Sequence, residues 1–213
     1  YAMASILSGH DDVILFMGHC KESQTESRLM NTNLAFDPFY CRPMGLDFLN
    51  ANAFQAREYM EKSGVTEDHL AKIVVRSRKN AKKNPYAREN KTVTEKDVKK
   101  SAMIADPIRE LHQYPVTDWA YGMLLCCEER AKEFTDNPVW LTGFGNCMDS
   151  YFLGDKDLTS NFSLKKAAQR AYAMAGVKNP RKDLDIIELK DSFAYQLPMW
   201  AEGIGIADEG KGG

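Results

Sequence analysis

The stretch YAMASILSGHDDVILFM, residues 1–17, decides the fold class. Its first eight residues are small and apolar and read as the last turns of a helix. Gly9 then stands where many helices close in the left-handed conformation. Residues 12–17 are β-branched and apolar and read as a buried strand. Helix, glycine and fully apolar strand in succession form the grammar of a layered α/β domain.

Outward from this stretch the character changes. Residues 21–50 are polar and aromatic, carry Pro38 and Pro43, and read as an irregular excursion. A helix is expected over residues 50–62, with Ala53, Phe54, Ala56, Tyr59 and Met60 near helical spacing and Gly64 as its stop. Thr66 is a good N-cap for a second helix, with Glu67 and Asp68 favourably placed at the positive end of its dipole. Its apolar face is Leu70, Ile73 and Val74, extended to Ser77, and it runs out at Asn84-Pro85 because a residue before proline avoids the helical region. Thr94 with Asp97 marks a third, short helix. After Tyr114 the α/β grammar resumes. Strands are expected at 119–127, 139–146 and 184–189. Helices are expected at 128–134, from Ser163 to Gly176, and at 192–203.

Composition excludes several classes. With 44% hydrophobic and 27% charged residues in 213, the chain is an ordinary globular one. No apolar run approaches the ~20 residues that a membrane-spanning helix needs. A net charge of −2 predicts neither nucleic-acid nor membrane binding in bulk. The five cysteines, Cys20, Cys41, Cys126, Cys127 and Cys147, are odd in number, lack a CxxC, and mostly sit in apolar segments. They read as buried thiols in a reducing cytoplasm. His10, His19, His69 and His112 have no metal-ligand spacing with them, so no metal site is expected.

Two features carry candidate chemistry. Residues 76–100 hold ten Lys or Arg against three acids, an excess of +7 in a chain whose total is −2. A solvated helix face and a phosphate-binding surface both fit this tract. Tyr86 is its one interleaved aromatic, short of a stacking platform for single-stranded nucleic acid. The second feature is the junction ELKDSFAYQ, residues 188–196. Polar residues after a strand of an α/β sheet sit where ligands bind, and a helix N-terminus offers N–H groups to an anion. Asp191 or Ser192 acting merely as a helix cap is the plainer reading. The glycines at 203, 205, 210, 212 and 213 do not follow a strand, fail the dinucleotide-binding context, and read as loop.

Three longer stretches resemble the thiolases, in the branch typified by sterol-carrier-protein-x thiolase. They are HLAKIVVRSRKNAKKNPYAR (69–88), TVTEKDVKKSAMIADPIRELHQYPVTDWAYGMLL (92–125) and DIIELKDSFAYQLPMWAEGIGIADEGKGG (185–213). Residues 1–23 are similar to the helix and strand that follow the nucleophile in that family. The matching motifs here are Asn84-Pro85, Ala105-Asp106-Pro107, Val116-Thr117-Asp118 and the segment that corresponds to the family's ELHDAF. The resemblance implies a thiolase-like layered α/β sandwich, mixed sheets covered by helices, with an inserted loop domain. Its divisions fall at 1–22 (end of the N-terminal lobe), 23–114 (loop domain) and 115–213 (first part of the C-terminal lobe).

The resemblance also implies acyl-CoA C-acyl transfer by Claisen chemistry through a cysteine acyl-enzyme. The nucleophile is expected before Tyr1 and the Gly-His-Pro histidine after Gly213. Lys190 occupies the position of the family's oxyanion-hole histidine, a departure. Asp191, Ser192, Phe193, Tyr114, Val116 and Met103 are the expected substrate and CoA contacts. Coenzyme A and acyl-CoA enter as substrates, with no covalently bound cofactor. A homodimer or homotetramer and a small OB-fold zinc-ribbon protein are the implied partners. The alternative is a non-catalytic thiolase-like subunit of an acyl-CoA-processing complex. A polyanion- or RNA-binding role for residues 76–100 is a third reading.

Overall fold

A computed structural model describes residues 1–89 and 91–213. Its elements run, in chain order, α1 (Ala2–Leu7), β1 (Val13–Lys21), α2 (Arg28–Asn33), α3 (Phe48–Ser63), α4 (Glu67–Ala81), α5 (Glu95–Lys100), β2 (Met103–Ala105), β3 (Ile108–Arg109), β4 (Asp118–Cys126), α6 (Ala131–Phe134), α7 (Phe162–Ala175), α8 (Pro180–Asp183) and α9 (Gln196–Gly203). They form two compact units, each assembled from two stretches of chain: Tyr1–Glu26 with Val116–Leu141, and Ser27–Pro115 with Thr142–Gly213.

The first unit is a helix and a two-stranded ribbon. α1 ends at Ser8, Gly9 follows with φ +71°, and the Ser5 hydroxyl donates to Asp11 at 2.6 Å across the turn. β1 pairs antiparallel with β4 from Val13↔Cys126 to Lys21↔Asp118. Gly18 faces Tyr121, and a Cβ there would lie 2.8 Å from the phenol ring, so a larger residue would have to turn that ring aside. Asp118 closes the ribbon by accepting from the Ser23 amide (2.9 Å) and hydroxyl (2.6 Å). The strand expected at 12–17 is real and longer, but not buried. Helix α1 packs on part of the ribbon, yet Leu15 and Met17 are 63% and 72% exposed. The helix expected at 128–134 begins as a 3₁₀ turn, Glu128–Arg130, before α6.

The second unit has a core of α3, α4, α5, β3 and α9. Ala53, Ala56, Tyr59, Leu70, Ala71, Val74, Val98 and Ile108 pack with Phe193, Tyr195 and Met199. Phe54, expected on the buried face of α3, is exposed. Local chemistry sets the helix ends. Asp47 caps α3 by accepting from the Asn50 amide at 2.9 Å, and Gly64 stops it at φ +73°. Thr66 opens α4 and Thr94 opens α5, each through a reciprocal capping box with the residue three positions on, His69 and Asp97. α4 ends at Ala81, three residues before the Asn84 that precedes proline.

Three expectations are corrected in this unit. Residues 184–189 are irregular, with a bend at Asp185, and make no ladder among the described residues. A strand needs a neighbour's N–H and C=O groups, and without one Ile186 is 84% exposed. Residues 142–146 of the expected 139–146 strand lie against α7 instead. A Cβ on Gly143 or Gly145 would strike the carbonyls of Ala171 and Ala167, so the bare backbone packs flat on the helix. The helix expected from Ser163 starts at Phe162, with Asn161 as N-cap residue and the Ser160 hydroxyl accepting from the Phe162 amide at 3.2 Å. Gly176 closes it as expected. Among the described residues no helix is long and apolar enough to cross a membrane.

Candidate functional site

The second unit contains a cleft of about 710 Å³. One wall is the C-terminal half of α4. Val74 anchors this helix in the core, so Arg76, Ser77 and Asn80 are turned outward, with Arg76 and Asn80 one helical turn apart on the same face. The other wall is the irregular run Ile187, Glu188, Leu189, Lys190, Asp191, with Leu197 of α9 beside it.

Backbone bonding fixes this second wall from both sides. The Trp200 indole N–H donates to the Lys190 carbonyl at 3.1 Å. Immediately downstream, residues 112–114 pair antiparallel with 192–194. The Tyr114 amide donates to the Ser192 carbonyl (3.0 Å) and the Ala194 amide to the His112 carbonyl (2.7 Å), around a Gln113↔Phe193 bridge. The Phe193 amide donates to the Gln196 side-chain oxygen at 3.2 Å. The Ser192 carbonyl, which a helix starting there would pair with the Gln196 amide, is taken by Tyr114, the Gln196 amide goes to the Phe193 carbonyl at 2.9 Å, and α9 starts at Gln196. Asp191 and Ser192 are therefore neither helix caps nor the first turn of a helix, which removes the anion site expected there.

The expected site residues separate as follows. Lys190, exposed, and Asp191, half-buried, line the cleft. Burial pushes the Asp191 carboxyl above the usual carboxylate range. Its hydrogen bond to backbone and the Arg76 charge pull the other way. Ser192 and Tyr114 meet in the ladder next to the cleft, and the Tyr114 ring lies 4.4 Å from the Arg28 guanidinium. Phe193 is 1% exposed, packed on Phe48 with ring centroids 5.1 Å apart, and its role in this structure is packing. Met103 is on β2 opposite Arg109, away from the cleft lining, and Val116 is exposed in the first unit.

Sequence reasoning missed most of the α4 wall. Arg76 stood out only as the first member of the basic tract, Ser77 was assigned to an apolar face, and Asn80 carried no signal. The tract itself divides. Arg78 pairs with Glu89 at 3.1 Å and Lys99 with Asp68 at 2.5 Å. Lys79, Lys82 and Lys83 are exposed and have no ion-pair partner among the described residues. Also missed was buried His112, whose Nδ1 accepts from the Arg109 amide at 3.2 Å. The five cysteines are free thiols, and no group of three or more His, Cys, Asp or Glu is arranged to hold a metal among the described residues.

The thiolase C-terminal domain-like family matches residues 146–213. An acetyl-CoA acetyltransferase of Methanothermobacter thermautotrophicus is 30% identical over 98% of this chain and 54% of its own length. One from Methanocaldococcus jannaschii is 31% identical over 100% and 54%. Rabbit (Oryctolagus cuniculus) sterol carrier protein 2 is 30% identical over 74% of this chain and 29% of its own. The chain thus spans about half the length, or less, of the curated relatives it matches. Among solved structures, the Ltp2-ChsH2(DUF35) aldolase superposes with a TM-score of 0.80 at 21% identity, covering 99% of this chain and 56% of that one. A monomeric SCP2-thiolase-like protein of Mycobacterium smegmatis gives 0.71 at 18%, covering 99% and 47%. The fold is thiolase-like α/β, and the chain belongs to the thiolase superfamily, among the sterol-carrier-protein-2 thiolase-like members.

Proposed function

We propose that the cleft is the acyl end of an acyl-CoA site in a thiolase-type C-acyltransferase. One observation carries this reading. Lys190–Asp191 and Arg76, the first residue of the basic tract, are far apart in sequence and line one cleft. The acetyl-CoA acetyltransferase relatives support the CoA thioester as substrate class. In thiolysis, a cysteine thiolate from outside residues 1–213 attacks the C3 carbonyl of a 3-oxoacyl-CoA. The C2–C3 bond then breaks, acetyl-CoA leaves as its enolate and takes up a proton, and free CoA accepts the acyl group from sulfur. Condensation is the reverse. Lys190 would meet the negative oxygen that develops on a thioester, giving it a hydrogen bond and a full positive charge. Lys79, Lys82 and Lys83, without an ion-pair partner among the described residues, would meet CoA phosphates. The lobe and loop-domain divisions at 22/23 and 114/115 belong to the same proposal, as do an oligomer and a partner protein. The pairing named in the Ltp2-ChsH2(DUF35) aldolase supports the partner.

The test is turnover of a 3-oxoacyl-CoA with free CoA by the full polypeptide. Lys190→Ala is expected to lower kcat by about 10²-fold, as loss of one oxyanion donor does elsewhere, while Lys190→His keeps most of the rate. Insensitivity of kcat to Lys190→Ala sinks the assignment. A second reading, a non-catalytic thiolase-like subunit, is favoured by the lysine where the resemblance expects histidine or asparagine. It predicts acyl-CoA binding without turnover until an active partner is added.

A further inference from the structure

Several arginines of the second unit are committed to partners. Arg42 donates to the Leu34 and Phe36 carbonyls, and Arg78 pairs with Glu89. Arg109 bonds Glu67 and the Ser101 carbonyl, and Arg181 bonds Asp208 and the Gly205 carbonyl. Arg57 pairs with Asp106. Arg76 differs. Among the described residues its guanidinium makes no hydrogen bond or close ion pair; its charge acts on Asp191, which lines the same cleft. An uncommitted guanidinium is a planar fork of donors, and a carboxylate or phosphate fills it bidentately.

The rest of the lining says where along a ligand that anion sits. Ile187, Leu189 and Leu197 give the cleft an apolar strip, suited to methylene groups. Its volume of about 710 Å³ falls in the range of small-molecule sites. In an acyl-CoA bound with its thioester at Lys190, the pantetheine arm carries the phosphates well beyond a cleft of this size. The acyl chain stays inside it. We infer that the cleft selects acyl thioesters whose acyl chain ends in a carboxylate, with Arg76 holding that carboxylate and the apolar strip lining the methylenes between. This inference rests on the acyl-CoA reading of the site. Glu188 and Asp191 share the second wall and oppose an anion there, which leaves the Arg76 side for the carboxylate.

Calorimetric binding of succinyl-CoA, butyryl-CoA and succinyl-pantetheine to the full polypeptide tests this, with Arg76→Gln and Arg76→Lys as variants. The expected result is a succinyl-over-butyryl preference of about tenfold, the scale of one charge-assisted contact. The preference should persist in the pantetheine ester, collapse toward one in Arg76→Gln, and partly return in Arg76→Lys. Equal affinity of the wild-type polypeptide for succinyl- and butyryl-CoA overturns the inference and leaves the acyl-CoA reading standing. So does a parallel loss of both CoA esters in Arg76→Gln with succinyl-pantetheine unaffected, which makes Arg76 a phosphate contact. Failure of all three thioesters to bind overturns the acyl-CoA reading and this inference with it.

Discussion

His112 is a buried imidazole whose Nδ1 accepts a backbone hydrogen bond and whose Nε2 has no partner among the described residues. Burial lowers its pKa from 6.5 to about 4. The Glu67 charge opposes that fall and the Arg109 charge adds to it. Between those values the unfolded chain binds a proton that the folded one excludes. The stability tied to His112 is therefore complete above pH 6.5 and is lost as pH falls toward 4, by about 3 kcal/mol over the window. Urea midpoints measured from pH 7 to 4 should fall, and His112→Asn, which can still accept at the Nδ1 position, should flatten that slope. An unchanged slope would place the acid sensitivity elsewhere. Tyr59 has a comparable stake. Its hydroxyl donates to buried Glu202 at 2.6 Å, and Glu202 also accepts from the Gly212 amide at 3.0 Å. Tyr59→Phe leaves that carboxylate one donor short, at a cost of about 1–3 kcal/mol. The check is a shifted melting temperature together with faster proteolysis near Lys211.

At the scale of elements, short-range chemistry was legible and long-range pairing was not. Thr66, Thr94, Gly64 and Gly176 mark helix ends because a hydroxyl or a left-handed glycine acts on its own few neighbours, and the structure uses all four. The start of α9 was not legible. It is delayed to Gln196: the Ser192 carbonyl that an earlier helix would use accepts instead from the Tyr114 amide, a partner that local pattern cannot reveal. Residues 184–189 have strand composition, but composition does not supply the neighbouring strand. The glycines at 143 and 145 look like loop and instead permit contact with the backbone of α7. Gly145→Ala should cost about 1–3 kcal/mol through overpacking, read as a lower denaturant midpoint, whereas Gly154→Ala, which would meet only the Phe152 ring, should cost less. Thr66→Ala should cost about 1 kcal/mol by loss of the cap.

At the scale of the whole molecule, spacing marked the junction 188–196 with Asp191, and the resemblance put Lys190 forward within it; both residues line the cleft. The resemblance put Phe193 forward equally, and the motif carries no mark that this ring faces the core. The α4 wall of the cleft was hidden for the same reason as the start of α9, since no feature near Arg76 announces a segment met only through tertiary packing. The two units are also interleaved along the chain. β1 and β4 lie on opposite sides of the stretch Ser27–Pro115, and the second unit is likewise built from stretches on either side of Val116–Leu141. A single nick at the exposed Asn84–Pro85 turn would therefore yield two polypeptides, each holding one strand of the ribbon and part of the other unit. Neither piece could leave without unpairing that ribbon. Such a clipped sample should run as two bands on a denaturing gel and as one peak on a native column, and separately expressed halves should regain their structure only when mixed.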